Sequence, residues 1–174
     1  MSAEARRLPM TVTFLEMTAR PSVAMAPNPR GKVALLRSEK PPVHFYRYLY
    51  NTIGEQYFWV DRRKLNDADL GAILDADRTQ VYVLYTEGTP AGLAELDMRP
   101  DGDANIAYFG LMPEAIGRRL GFFFLYQTAL IAWSQPIKRL LVNTCTLDHP
   151  RALPLYQRLG FTPYAREERY VELP

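Results

Sequence analysis

The chain has 174 residues, 48% of them apolar and 23% charged, with a formal net charge of +2, which suits one globular domain and argues against nucleic acid as a partner. A single cysteine, Cys145, excludes an internal disulfide framework, and with His44 and His149 as the only histidines no metal site is expected. The opening MSAEARRLPM lacks the apolar segment of a secretory signal and no apolar run reaches membrane-spanning length, so the expectation is a cytoplasmic protein without a membrane partner.

Residues 11–17 alternate as a strand, and 19–31, rich in Pro, Ala and Asn, read as a loop or loose hairpin. A second short strand covers 32–37 (KVALLR). Pro41-Pro42 ends it and opens a helix to about residue 53, with Gly54 as its C-terminal cap. Residues 57–61 are aromatic and irregular, and Asn66 or Asp67 caps a helix over 68–75. Strands follow at 80–85 (QVYVLY), 91–98 (AGLAELDM) and 104–112, joined by turns at 87–90 and 100–103. A helix is expected from about 117 to 134, apolar nearly all round and therefore covered on both sides. The continuous apolar run 139–145 (RLLVNTC) is a central strand, and its link to the strand before that helix demands a right-handed crossover and a parallel pair. A short helix lies within 150–159, with Asp148 as its N-cap and Pro154 placed awkwardly inside it. Residues 161–166 and 170–173 close the chain as a pair of strands. The fold class is α/β (α+β), one domain over 1–174, with a mixed, mostly antiparallel sheet flanked by helices.

Two patches carry chemistry. Leu111-Met112-Pro113-Glu114-Ala115-Ile116-Gly117-Arg118-Arg119-Leu120-Gly121 ends a strand and opens a helix through a basic, glycine-bearing turn. Backbone N–H groups and the positive end of a helix dipole favour an anion at such a place. Arginines there oppose the dipole by a few tenths to about 1 kcal/mol, which makes sense when a polyanion occupies the turn. The second patch, Tyr156-Gln157-Arg158-Leu159-Gly160-Phe161, puts a phenol on a short helix closed by Gly-Phe. Together they describe an enzyme that holds a phosphorylated cofactor and moves a group from it.

These residues resemble the GNAT superfamily of acetyl-CoA-dependent N-acetyltransferases. The superfamily's apolar-x-Pro-x-x-Arg/Gln-Gly-x-Gly-x-Gly signature lies on residues 111–121 without a gap, and its later Tyr…Gly-Phe segment lies on 156–161. The resemblance is clearest over 80–173 and leaves residues 1–40 unexplained. Ile116 stands where the superfamily has Arg or Gln, Arg119 where it has a loop glycine, and His149 where an asparagine is common.

The resemblance implies an amine attacking the acetyl thioester directly, in a cleft where strands 104–112 and 139–145 splay apart. It places acetyl-CoA, as acyl donor, against Leu111, Met112, Ile116, Gly117, Arg118, Arg119, Leu120, Gly121 and His149. The backbone N–H of Leu111 or Met112 would hold the thioester oxygen, and Tyr156 would protonate the leaving thiolate. Glu95 is the base candidate, which the resemblance would have act through a water; its apolar strand neighbours would desolvate it and raise its pKa, unless it is a solvent-facing glutamate of the hairpin; Asp97 is second. Cys145 reads as a small buried hydrophobe, and the aromatics Tyr46, Tyr48, Tyr50, Tyr57, Phe58 and Trp59 as core or as a wall for the amine. No acidic patch recruits a strongly basic acceptor, which tilts the acceptor towards a small molecule rather than a protein. The N-terminal region is a candidate homodimer contact. The rival reading is a non-catalytic acyl-CoA-binding or protein-interaction module on the same fold.

Overall fold

The computed structural model describes residues 6–173; positions 1–5 and 174 of the expected domain lie outside the described residues. In chain order the elements are β1 (Arg7–Met17), β2 (Val33–Ser38), α1 (Val43–Gly54), a 3-10 turn at Glu55–Tyr57, α2 (Asp67–Asp75), β3 (Thr79–Thr86), β4 (Thr89–Met98), β5 (Asp103–Leu111), a second 3-10 turn at Pro113–Ala115, α3 (Gly121–Trp133), β6 (Arg139–Cys145), α4 (Ala152–Leu159) and β7 (Thr162–Glu172). They form a single domain around a seven-stranded sheet of order β2-β3-β4-β5-β6-β1-β7. Only β5 and β6 run parallel, joined through α3, as a strand–helix–strand crossover requires.

Helices cover both faces. An added Cβ on Gly110 would come within 2.5 Å of Ile53 on α1, whereas one on Gly92, opposite Leu111, would come within 2.8 Å of Phe124 on α3. Strand alternation therefore puts α1 and α3 on opposite faces. The α1 stripe Tyr46, Leu49, Tyr50 and Ile53 follows the i, i+3, i+4, i+7 spacing, and all four are buried. α3 buries Phe124, Leu125, Ala129 and Ala132. Its outer side is crossed by residues 18–32, which link the sixth strand position to the first: Tyr126 Oη donates to the Val23 carbonyl at 3.0 Å, and Arg20 Nη2 to that of Trp133 at 3.1 Å. A helix apolar all round is thus sandwiched, and the loop expected over 19–31 does the covering.

Three local expectations change. The helix expected from 117 starts at Gly121, because Gly117 and Arg119 have φ of +82° and +58°, outside helical space. α4 lies within the expected 150–159, and its start at Ala152 puts Pro154 in the first turn, where a missing N–H costs no helical bond. Asp148 does not cap it; its Oδ2 accepts from Thr144 Oγ1 at 2.7 Å and from the Cys145 N–H at 2.9 Å, tying off the end of β6. Finally, the two closing strands are one. β7 stays extended through its charged middle because β1, inserted between β6 and β7, supplies an antiparallel ladder along nearly its whole length.

Candidate active site

β5 and β6 pair only from Asp103–Arg139 to Ile106–Val142, after which β6 continues against β1 alone. On β5 the register slips between Glu95–Tyr108 and Leu96–Ile106, leaving Ala107 as a bulge at the point of divergence. The strands open there into a cleft of about 1250 Å³. One wall carries Tyr108, Phe109 and Leu111, the other Asn143, Cys145 and Asp148, and Tyr156 and part of the 116–121 turn complete the lining.

Strand alternation decides which amide faces this cleft. The Met112 N–H is taken by the Ala91 carbonyl on the β4 side at 2.9 Å. The neighbouring Leu111 N–H therefore points the other way, towards the β6 side, where strand pairing has already ended. Met112 itself is fully buried.

The turn into α3 is built for close approach. Gly117 has positive φ with open space around its missing Cβ, and Arg119 adopts the left-handed conformation of the glycine it replaces. Arg119, Ile116, Gly117, Leu120 and Gly121 line the cleft; Arg118 does not, and its Nη1 lies 3.5 Å from Thr86 Oγ1. Spacing alone could have found two further cations on the lining. Arg151 and Arg158 lie one turn to either side of Leu155, and the Arg158 guanidinium stacks 3.9 Å from the Phe122 ring centre. An open glycine cradle, free α3 amides and three lining arginines suit the polyanionic end of a coenzyme A thioester.

Tyr156 reaches the cleft from α4. Its ring packs edge-on to Phe109 (6.4 Å) and Phe161 (5.9 Å), and Gly160 in the left-handed conformation closes the helix by donating to the Gln157 and Tyr156 carbonyls. Burial, with the nearby Asp148 carboxylate, pushes the Tyr156 phenol well above its ordinary pKa. It is a protonated donor at neutral pH. Cys145 lines the same cleft, and burial pushes its thiol up too, so it is no thiolate nucleophile at neutral pH. His149 Nδ1 accepts from the Arg151 N–H at 3.1 Å, which leaves Nε2 as the donor, and its ring meets Tyr57 edge-on at 6.3 Å.

Glu95 lies elsewhere. It is 1% exposed, on the α1 side of the sheet, and is not part of the cleft lining. Tyr46 Oη donates to one carboxylate oxygen and Arg62 Nη2 to the other at 2.6 Å. Arg62 lines the cleft, and its guanidinium lies 5.3 Å from the Tyr108 ring centre. Burial disfavours the Arg62 charge, but Glu95, with smaller contributions from Tyr46 and Tyr108, outweighs it and the guanidinium pKa is held above normal. Asp97, the second base candidate, is bound by Arg78 at 2.6 Å, which together with Arg99 holds its carboxyl below the usual range.

The aromatic cluster divides. Tyr46 and Tyr50 are core and Tyr48 is exposed, while Tyr57, Phe58 and Trp59 line the cleft. Trp59 sits 5.3 Å from Tyr50 and 5.1 Å from Tyr108 with its ring tilted against both, so this wall is an aromatic cluster. Arg62 and Tyr108 carry no local sequence signal, because the contacts that define them join residues 33 and 46 positions apart. Among the described residues no group of three or more His, Cys, Asp or Glu is placed to hold a metal, and no helix is long and apolar enough to cross a membrane.

Known structures share the architecture. A GCN5-related N-acetyltransferase from Kribbella flavida superposes with a TM-score of 0.62 at 16% identity, over 94% of this chain and 60% of its own. A protein of the GNAT family from Novosphingobium aromaticivorans gives 0.61 at 18%, over 94% and 63%. An aminoglycoside acetyltransferase from an uncultured soil metagenomic sample, in complex with sisomicin, gives 0.60 at 12%, over 74% and 87%. The chain thus spans less than two thirds of the Kribbella and Novosphingobium proteins. No curated protein is significantly similar in sequence. Residues 46–161, two thirds of the chain, match the acetyltransferase (GNAT) family, and with the splayed β5–β6 cleft, the turn into α3 and the shared fold they show that this chain belongs to that family.

Proposed function

We propose that this protein is an acetyl-CoA-dependent N-acetyltransferase acting on a primary amine of a small molecule in a ternary complex. The observation that supports it most is the convergence, where β5 and β6 part, of the Leu111 N–H, the protonated Tyr156 and the Gly117-to-Arg119 turn. When bound, acetyl-CoA supplies the activated acyl group. Gly117, Arg119 and the first α3 amides hold its phosphates; Arg151, Arg158 and His149 flank it. The Leu111 N–H would donate a hydrogen bond to the thioester oxygen as negative charge develops there, and Met112 acts only by fixing that orientation. Tyr156, protonated at neutral pH, would give its proton to the departing sulfur.

The acceptor enters past Tyr57, Phe58, Trp59 and Tyr108, a wall with room for an apolar or cationic amine. Small-molecule acceptors gain support from the sisomicin complex of a protein with this fold. With both Glu95 oxygens engaged behind Arg62, Glu95 positions Arg62 at the acceptor wall, and the ammonium proton leaves to water in the open cleft.

Titration calorimetry with acetyl-CoA, followed by a panel of amines scored for released thiol, tests this reading. Saturable binding and thiol release with at least one amine are expected. Binding without turnover on any amine would favour a non-catalytic acyl-CoA-binding module instead.

A further inference from the structure

Arg62 uses only part of its guanidinium within the protein. Nη2 donates to Glu95 at 2.6 Å, while Nε and Nη1 have no hydrogen-bond partner among the described residues. Nε is buried and Nη1 is not, so Nη1 is an open arm on a residue that lines the cleft. Arg139 shows what such an arm holds in this chain. Its Nη2 takes Asp103 at 2.7 Å and its Nη1 takes Glu16 at 2.9 Å, two carboxylates on one fork. On Arg62, Glu95 fills the first place and leaves the second to a ligand. Lys64, on the same lining, has no ion pair among the described residues and adds a second positive charge.

An opposite charge stands close by. Three carboxylates line the cleft: Asp148 is taken up by Thr144 and the Cys145 amide and Glu172 by Arg7, but Asp61 has no ion pair among the described residues. Tyr108 brings Asp61 and Arg62 together. The guanidinium lies 5.3 Å from the Tyr108 ring centre, and the Asp61 carboxylate, after burial and Tyr50, helps to push the Tyr108 phenol above its ordinary pKa. Phe58 adds an apolar surface: held at a left-handed φ of +56°, which a non-glycine residue rarely adopts, it is 38% exposed on the lining.

We infer that the acceptor is an amino acid with an apolar side chain, its carboxylate on the open arm of Arg62, its ammonium drawn by Asp61 and its side chain against Phe58. The inference rests on the acetyltransferase reading above and narrows it. A polyamine would meet one free carboxylate and the repulsion of Arg62 and Lys64. On acetylation the nitrogen forms its bond to the acetyl carbon as the carbon–sulfur bond breaks. The ammonium gives up two protons, one to water and one to replace the proton that Tyr156 hands to sulfur. The products are an N-acetyl amino acid and free coenzyme A thiol, and the carboxylate stays on Arg62 throughout.

Matched amines test this on the wild-type protein. Phenylalanine with phenethylamine, leucine with isopentylamine and tryptophan with tryptamine differ only by the carboxylate. A hydrogen bond to a charged group contributes about 10- to 100-fold, so at least one amino acid is expected to exceed its partner in kcat/KM by about tenfold or more, chiefly through KM. Arg62→Gln combined with Glu95→Gln removes both charges of the buried pair, so neither is stranded, and should bring that ratio to within about twofold. An Arg62 that only braces the wall would lower both members alike and keep the ratio, which would overturn the inference. Equal kcat/KM within every wild-type pair, or spermidine preferred to every amino acid, would also overturn it and leave the acetyltransferase reading intact. Calorimetry of the coenzyme-A-saturated protein with the N-acetyl products needs no turnover. N-acetylphenylalanine, N-acetylleucine or N-acetyltryptophan is expected to bind about tenfold or more tightly than its decarboxylated counterpart. If no amine releases thiol, the acetyltransferase reading falls, and this binding still decides the carboxylate site: a tighter acid supports it, and equal or absent binding sinks it.

Discussion

The Arg62 guanidinium meets the Glu95 carboxylate at 2.6 Å, and Arg62 is the member of the pair that lines the cleft. Two roles for Glu95 separate on this contact. A base would impose its own ionisation on the acidic limb of the kcat/KM profile, and Glu95→Gln would erase that limb. A positioning residue would not. The expected result is a lowered kcat in Glu95→Gln with the limb retained, and a similar loss in Arg62→Lys, which cannot hold the same forked geometry. Disappearance of the limb in Glu95→Gln alone would restore Glu95 as base.

Glu95→Ala carries a separate cost. It strands a mostly buried guanidinium whose side chain is 19% exposed and whose Nε already lacks a partner. Removing one member of such a pair costs about 3–5 kcal/mol. Denaturant unfolding is expected to show a loss of that size in Glu95→Ala and a clearly smaller one in Glu95→Gln, which keeps an acceptor oxygen for Arg62. Equal losses would mean that shape, and not the charge pair, matters at this position.

Tyr156→Phe keeps the edge-on contacts to Phe109 and Phe161 and removes only the phenol proton. General acid assistance is worth about 10²- to 10⁴-fold, so kcat should fall by at least the lower figure, with acetyl-CoA affinity unchanged within about twofold. Calorimetry beside steady-state rates makes the comparison. Weakened binding with an intact rate would reduce Tyr156 to a packing residue.

Much of this was readable in the chain because the information was local. The run 139–145 gave β6 at its observed bounds, and Gly160-Phe161 marked the end of α4. The turn into α3 was legible as a break between strand and helix from Gly117 and its arginines, but its length was not. An apolar helix pattern does not reveal that Arg119 takes a left-handed φ and so holds the helix off until Gly121. What was illegible is what the sheet assembles from afar. Nothing in residues 7–17 says that β1 inserts between β6 and β7, and nothing near Glu95 announces Arg62 or Tyr46. The apolar neighbours of Glu95 left burial and solvent exposure equally open; the fold buries it, and its partners, which decide what burial means, come from α1 and the 58–66 loop.

Arg119 combines a strained conformation with a placed charge. A non-glycine residue at φ +58° costs on the order of 1 kcal/mol, which Arg119→Gly would relieve, less the entropy that glycine returns to the unfolded chain. The variant is therefore expected to be as stable as the parent within about 1 kcal/mol while binding acetyl-CoA more weakly and with a shallower dependence on salt. Calorimetry at two ionic strengths reads both. An unchanged affinity and salt response would return this side chain to solvent.

The closed end of the cleft is held by charge, and its pH dependence has a definite sign. Arg139 on β6 reaches Asp103 on β5 at 2.7 Å and Glu16 on β1 at 2.9 Å, bridging three neighbouring strands just before β5 and β6 diverge. Hydrogen bonds from Arg139 hold the Asp103 carboxyl below the usual carboxylate range. A carboxylate whose folded pKa is depressed contributes stability that is fully present above its unfolded pKa, about 3.9, and is lost as pH falls through the lower folded value. Solvent screening keeps the contribution of this exposed cluster small. Arg139→Gln should therefore lower Tm at pH 7 slightly and flatten its decline below pH 4, where Asp103 is protonated in the parent as well. Thermal unfolding of both proteins from pH 7 down to pH 2.5 checks the sign: parallel Tm curves would show that Asp103 titrates alike in the folded and unfolded chain, and that the β5–β6 junction is held by its ladder alone.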